Sequence, residues 1–231
     1  MSTPKRRLKL RLRPTANING VLVPVDQCFS EMMQDILYCG VYESGEYDIL
    51  SRRLEKDDIV FEVGAGIGFL SAFSAMRIGS ERVFAYEANP GMERHIQATY
   101  RLNNVSPQMR IGILGEGGGT TTFYTSEHFW ASSAKEHADG MKAVEVQRID
   151  VKEELTRIKP TMLVMDIEGG EYDLLRLMDL STFRKLLIEL HPTRLSPEEL
   201  SEIDSKIANA GFELVEKMDG EAEYSAYYER R

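Results

Sequence analysis

The stretch IVFEVGAGIGFLSAFSAM, residues 59–76, decides the architecture. Its first five residues are a short apolar run that reads as a strand, and residues 69–76 read as a helix. Between them lie Gly64, Gly66 and Gly68. Glycines let a chain turn sharply and approach a ligand closely, and the helix that follows offers free N–H groups and the positive end of its dipole to an anionic group. The spacing narrows the ligand. A dinucleotide turn reads G-x-G-x-x-G, whereas here the third glycine comes one residue early and Phe69 stands in its place. That favours a methionine carboxylate over a pyrophosphate.

Outward from this unit the alternation repeats. Residues 82–86 are predicted as a second strand ending in Glu87, and Asn89 and Pro90 then supply the cap and first-turn proline of a helix. Residues 109–114 form a third predicted strand, 162–165 a fourth ending in Asp166, and 186–190 a fifth ending in His191, with a helix over 172–178. Strands alternating with helices imply a parallel sheet covered on both faces. Ser196, with Glu199 three residues on, caps a helix that Gly211 terminates. Residues 212–217 and 224–228 then pair across Asp219 and Gly220 as an antiparallel hairpin. The fold class is therefore α/β: a mostly parallel seven-stranded, Rossmann-like sheet closed by a hairpin, as in class I methyltransferases.

Residues 7–13 alternate Leu with Lys and Arg as a half-buried strand does, and residues 21–25 return across a turn at 17–20, which predicts an N-terminal hairpin ornamenting the edge. Helices are predicted near 29–37 and 45–54. Residues 1–40 make an extension to a single domain spanning 1–231. The stretch 115–150 lacks a helical period and carries two short β segments, 120–124 and 144–149, which marks it as an insertion and a candidate substrate loop. Trp130 within it could stack on a sugar ring or serve as core.

Composition removes several classes of function. A net charge of -9, with the acidic residues spread along the 231-residue chain, argues against a phosphate-tracking surface and so against a nucleic-acid partner. No apolar run is long enough to span a bilayer and no signal peptide is evident, so a cytoplasmic protein is expected. Cys28 and Cys39 have no metal-ligand spacing and read as reduced, partly buried thiols. His95, His128 and His137 share no spacing, are expected at the surface, and indicate no metal site. Small-molecule or carbohydrate acceptors remain as partners, and self-association into homo-oligomers is compatible with this composition.

Carboxylates carry the chemistry. Glu62, just before the glycines, would face a cationic group, and Glu87, about twenty residues past the turn, sits where a carboxylate accepts both hydroxyls of a ribose. The run Asp166, Ile167, Glu168, Gly169, Gly170, Glu171 leaves the fourth strand at the end where ligands bind in open α/β sheets. Methylating a hydroxyl requires loss of its proton, and Asp166 or Glu168 could take it. A divalent cation held by these oxygens is a second option, and Glu171 can also serve simply as a favourable charge at a helix start. His191, one strand away, is a further candidate base.

In order, GVYE at 40–43 with Glu46, FEVGAGIGF at 61–69, YEANP at 86–90, MDIEGGE at 165–171 and ELHP at 189–192 resemble the FkbM-type methyltransferase family. The DIEG-x-E phrase is the most specific of these. The chain departs from many relatives at Gly66, where they carry Asn, and at Met165, where they carry Lys. The resemblance implies S-adenosylmethionine as donor and O-methylation of a sugar, glycolipid or polyketide-type hydroxyl. It places Glu62, Gly64, Gly66, Gly68 and Glu87 at the cofactor, together with Ala65, Phe69, Ala88 and Asn89 from the same stretches, and Glu43 or Glu46 from the preceding helix. A nicotinamide-dependent oxidoreductase and a non-catalytic adenosyl-binding module are the alternatives.

Overall fold

A computed structural model of the chain describes residues 12–125, 142–220 and 222–231. A hairpin comes first, β1 (Thr15–Ile18) against β2 (Val21–Pro24), and two helices follow, α1 (Glu31–Cys39) and α2 (Ser44–Arg53). The hairpin turns at Asn19 and Gly20, both at positive φ, the pair that matches the twist of a two-residue turn. It differs from the sequence reading in register and in role. Its strands are 15–18 and 21–24, Leu12 is exposed, and residues 7–11 lie outside the described ones. Far from ornamenting an edge, Ile18, Val21 and Val23 are buried in the core. The Asn103 side-chain amide accepts from the Leu22 N–H at 2.9 Å and donates to the Leu22 carbonyl at 2.7 Å, which locks the hairpin to the helix ending at Leu102.

The decisive stretch folds as read: β3 (Val60–Val63), the glycine turn, then α3 (Phe69–Ile78). After these come β4 (Val83–Glu87), α4 (Glu93–Leu102), β5 (Gln108–Ile111), β6 (Ile113–Gly115), β7 (Gly119–Thr125), β8 (Lys142–Asp150), α5 (Val151–Ile158), β9 (Met162–Met165) and α6 (Glu171–Leu177). The chain closes with β10 (Lys185–Leu190), α7 (Pro197–Asn209), β11 (Phe212–Asp219) and β12 (Tyr224–Arg230). Seven strands form the main sheet in the order β11-β12-β10-β9-β3-β4-β5. The five from β10 to β5 run parallel and β12 lies antiparallel to both neighbours. Strand order reverses beside β3, so the tips of β3, β4, β9 and β10 meet where α/β sheets bind ligands.

Alternation along the strands builds two cores. Phe61, Leu163, Leu186 and Ile188 point to one face, with α5, α6 and α7. Val60, Val164 and Leu187 point to the other, with the hairpin, α1, α2 and α3. α7 carries the expected capping box between Ser196 and Glu199.

Residues 109–114, predicted as one strand, are two. Gly112 adopts φ +155, and a Cβ there would come within 2.7 Å of the Gln147 carbonyl, so the chain leaves the main sheet at this point. β6 then joins β8 and β7 in a separate three-stranded sheet. The expected β segments of the insertion are present as β7 and β8, while residues 126–141, including Trp130, His128 and His137, lie outside the described residues. Two environments also differ from expectation. His95 is buried, with its ring 4.6 Å from that of Phe29, because the N-terminal segment covers α4. Cys28 and Cys39 are free and exposed. No helix among the described residues is long and apolar enough to cross a membrane.

Candidate active site

Gly64 brings the tips of β3 and β9 together. It stands at φ +89, and a Cβ would lie 1.7 Å from the Asp166 carbonyl oxygen, so only glycine fits. Gly66 follows at φ +55, and its N–H donates to Glu87 Oε2 at 2.9 Å. The other Glu87 oxygen accepts from the Asn89 N–H at 2.7 Å. One carboxylate thus ties the glycine turn to the end of β4 and keeps lone pairs free for further donors. Asn89 is buried as a cap, its side chain accepting from the Gly91 N–H. The third glycine packs: a Cβ on Gly68 would meet Ile96 and Tyr100 of α4 at 3.0–3.1 Å.

These tips surround a cavity of about 240 Å³. Gly64, Gly66, Glu43, Glu87, Ala88, Asp166 and Glu168, all expected site residues, line it. Gly112, Ile113, Leu114 and Phe123 add an apolar wall that the sequence reading missed, because it comes from the break at Gly112 and from the second sheet. The remaining expected residues stand behind the wall. Ala65 and Phe69 are buried, and Phe69 backs the wall residue Tyr42 edge-to-face at 6.1 Å. Glu46 is buried and accepts from the Ser225 hydroxyl, linking α2 to β12.

Glu62 is buried on the α3 side of the sheet, and its Oε2 has no hydrogen-bond partner. Burial pushes its carboxyl up to about 8, with Glu87 adding to the effect against hydrogen bonds from Ser71. Burial likewise raises Glu87 to about 7 in spite of its backbone donors. Glu43 sits at φ +46, a strained conformation for a non-glycine residue and one that concentrates at functional sites. Burial, joined by Asp166, Glu62 and Glu46, holds its carboxyl well above the usual range. A cation placed among these crowded carboxyls would relieve their mutual repulsion and favour their ionised form.

The second half of the site is the acidic tip of β9 and β10. His191 Nδ1 lies 2.5 Å from Oε1 of the fully buried Glu171. Its Nε2 faces Glu168 Oε2 and Glu189 Oε2, each at 3.6 Å, and Asp166 Oδ1 at 4.0 Å. Arg194 pairs with Glu168 at 2.9 Å. Burial lowers the pKa of His191, but Glu171, Asp166 and Glu168 outweigh it and leave the ring above its ordinary value. Burial and Asp166 hold Glu189 far above the carboxylate range. His191 is itself 5% exposed and does not line the cavity, whereas Asp166 and Glu168 do.

Residues 62–214 match the family model described as the Methyltransferase FkbM domain, most of the chain and both halves of this site. The chain belongs to the FkbM methyltransferase family. A curated relative, the hexuronic acid methyltransferase AglP of Haloferax volcanii, is 25% identical over 70% of this chain and 69% of its own length. Among solved structures, the Pyrococcus horikoshii protein PH0793 is similar with a TM-score of 0.50 at 14% identity, covering 93% of this chain and 69% of that one. TYW2 of M. jannaschii, solved in complex with AdoMet, has a TM-score of 0.49 at 12% identity, over 94% and 86% of the two chains.

This FkbM protein is thus an S-adenosylmethionine-dependent methyltransferase, which sets aside the nicotinamide alternative. The residues present fit the donor. A glycine turn that excludes a Cβ, the buried carboxylate of Glu87, the raised carboxyl of Glu43 and an apolar wall occur in one cavity, a set of groups that suits a cationic adenosyl molecule.

Proposed function

We propose that the protein methylates an oxygen, the hydroxyl of a sugar, glycolipid or polyketide-type metabolite. One observation carries the reading: the wall of the cavity at the glycine turn continues into Asp166 and Glu168, so proton-accepting oxygens stand beside the place proposed for the donor. The hexuronic acid methyltransferase relative supports a carbohydrate acceptor.

The donor supplies an electrophilic methyl group on a sulfonium. Glu87 accepts from the ribose hydroxyls while it keeps the turn closed through Gly66. Ala88, Ile113, Leu114 and Phe123 give the adenine an apolar slot. Glu43, which reaches the cavity where Glu62 does not, balances the cationic end, with Glu62 one layer behind it. On the acceptor side, Glu168 stands on the wall and takes the hydroxyl proton, whereas Asp166 Oδ1 is buried and turned inward, so Asp166 orients. His191, off the wall and tied to Glu171, is a positioning residue for both. Fixing acceptor oxygen and donor carbon in line converts a bimolecular reaction into an effectively unimolecular one, which supplies much of the rate.

Calorimetric titration with S-adenosylmethionine and S-adenosylhomocysteine, against NAD and a Glu87→Ala variant, tests the donor half. Adenosyl ligands should bind and weaken at least tenfold in the variant. A screen of hydroxylated sugars follows, in which Asp166→Asn and Glu168→Gln should retain donor binding and lose turnover. Donor binding with no transfer to any acceptor would leave the chain a binding module.

A further inference from the structure

Three donor groups converge behind the acceptor wall. The ligand atoms of Asp166, Glu189 and His191 lie within 4.8 Å of one another, with His191 Nε2 at 3.6 Å from Glu189 and 4.0 Å from Asp166. A first-row transition-metal dication or Mg²⁺ binds at about 2.1 Å, which puts neighbouring donors about 3 Å apart and opposite ones about 4.2 Å apart. The observed separations are therefore within a small side-chain adjustment of a coordination shell.

Two further observations point to a ligand here. His191 is buried to 5% exposure, its Nδ1 is committed to Glu171, and its Nε2 points at three carboxylate oxygens, all beyond hydrogen-bond distance. Asp166 Oδ1, at the same point, is buried with no hydrogen-bond partner. A carboxylate behind the distal nitrogen of a histidine is also the outer-shell arrangement that fixes a metal-binding imidazole, and Glu171 occupies that place at 2.5 Å.

We propose that Asp166, Glu189 and His191 bind a divalent cation, with Glu171 orienting the histidine. One imidazole and two carboxylates suit Mn²⁺ or a similar transition-metal ion better than Ca²⁺ or Mg²⁺, which prefer oxygen alone. Asp166 also lines the cavity, so an ion seated behind the wall would fix the carboxylate that faces the acceptor and place positive charge next to a diol or a uronate. That role rests on the methyltransferase reading; binding of the ion does not. It would also let this acidic tip accept an anionic sugar that its carboxylates would otherwise repel.

The molecule offers a contrast in the group Asp26, Cys28 and His95. There the Arg94 guanidinium lies 3.0 Å from the Cys28 sulfur and 3.7 Å from Asp26, already supplying the positive charge.

The test is a titration of chelator-treated protein with Mn²⁺, followed by the loss of the free-ion electron paramagnetic resonance signal and by calorimetry. S-adenosylhomocysteine binding is measured in parallel. One equivalent should bind. His191→Ala and Glu189→Gln should each weaken it at least tenfold and Glu171→Gln by about ten- to a hundredfold. Circular dichroism and retained adenosyl binding identify which variants are folded, and the isosteric Glu189→Gln guards against collapse of His191→Ala. If wild-type protein takes up no Mn²⁺ while it binds S-adenosylhomocysteine, the carboxylates merely share protons and the site is refuted with the donor reading intact. Uptake indifferent to all of the tip variants would equally overturn the assignment. Loss of adenosyl binding with Mn²⁺ uptake retained would strike the donor reading alone.

Discussion

At Gly64 the smallest side chain available would already sit 1.7 Å from a backbone oxygen of the neighbouring strand. Gly64→Ala must therefore separate β3 from β9 or fail to fold, a loss of several kcal/mol by the scale of forced backbone and packing changes, about 3 or more. Thermal unfolding and adenosyl titration should both register it, and a variant as stable as the parent would show that the contact is not fixed. Glu62 gives a prediction with a sign. Its carboxyl is raised to about 8 and that of Glu87 to about 7, so the folded chain holds protons that the unfolded chain releases. Their contribution is favourable below the ordinary carboxylate value and is lost as pH rises through these raised values. The melting temperature of ligand-free protein should fall between about pH 4.5, the ordinary carboxylate value, and about 8, the raised value of Glu62, and Glu62→Gln should flatten that slope. An unchanged slope in the variant would remove Glu62 as its source. Glu62 also marks a limit of sequence reading. Its place beside the turn was legible, but alternation in a strand turned it to the α3 face, so Glu43, at the start of α2, reaches the cavity instead.

Among the elements, those with local signals were the legible ones. β3, the turn and α3 follow from an apolar run and glycine spacing, and α7 from Ser196 with Glu199. The split at Gly112 was not legible, because its cause is a carbonyl on β8, remote in sequence. α5 carries a local signal of its own, though no helix was expected there: Asp150 caps it by accepting from the Lys152 and Glu153 N–H groups, and Val151, Leu155 and Ile158 are buried at helical spacing. Asp150 also accepts from the Gly117 N–H, joining the cap to the second sheet. Asp150→Ala should then cost about 1 kcal/mol or somewhat more, read from denaturant midpoints. A loss of nothing would mean that water replaces both sets of bonds.

Across the molecule the two ends of the main sheet are built on opposite terms. At the ends of β3 and β10 away from the cavity, the buried Asp58 is fully paired: Lys185 Nζ lies 2.8 Å from one oxygen and Arg184 Nη2 2.9 Å from the other. At the cavity end, buried oxygens of Glu62, Asp166 and Glu171 have no hydrogen-bond partners. Lys185→Met should cost about 3 kcal/mol in unfolding experiments because it strips a partner from a buried carboxylate, while donor affinity stays the same. A drop in affinity would mean that the two ends communicate. The convergence of strand tips was legible from topology alone, whereas the apolar wall needed the second sheet, whose pairing no local pattern announces. The carboxylate of Glu87 leaves one more consequence. Since it already holds the amides of Gly66 and Asn89, any molecule that draws on its lone pairs also changes how often those two amides open to solvent. Their deuterium uptake is thus a built-in gauge of occupancy, slowing as donor is added, and it reports on the pocket without any acceptor having been identified.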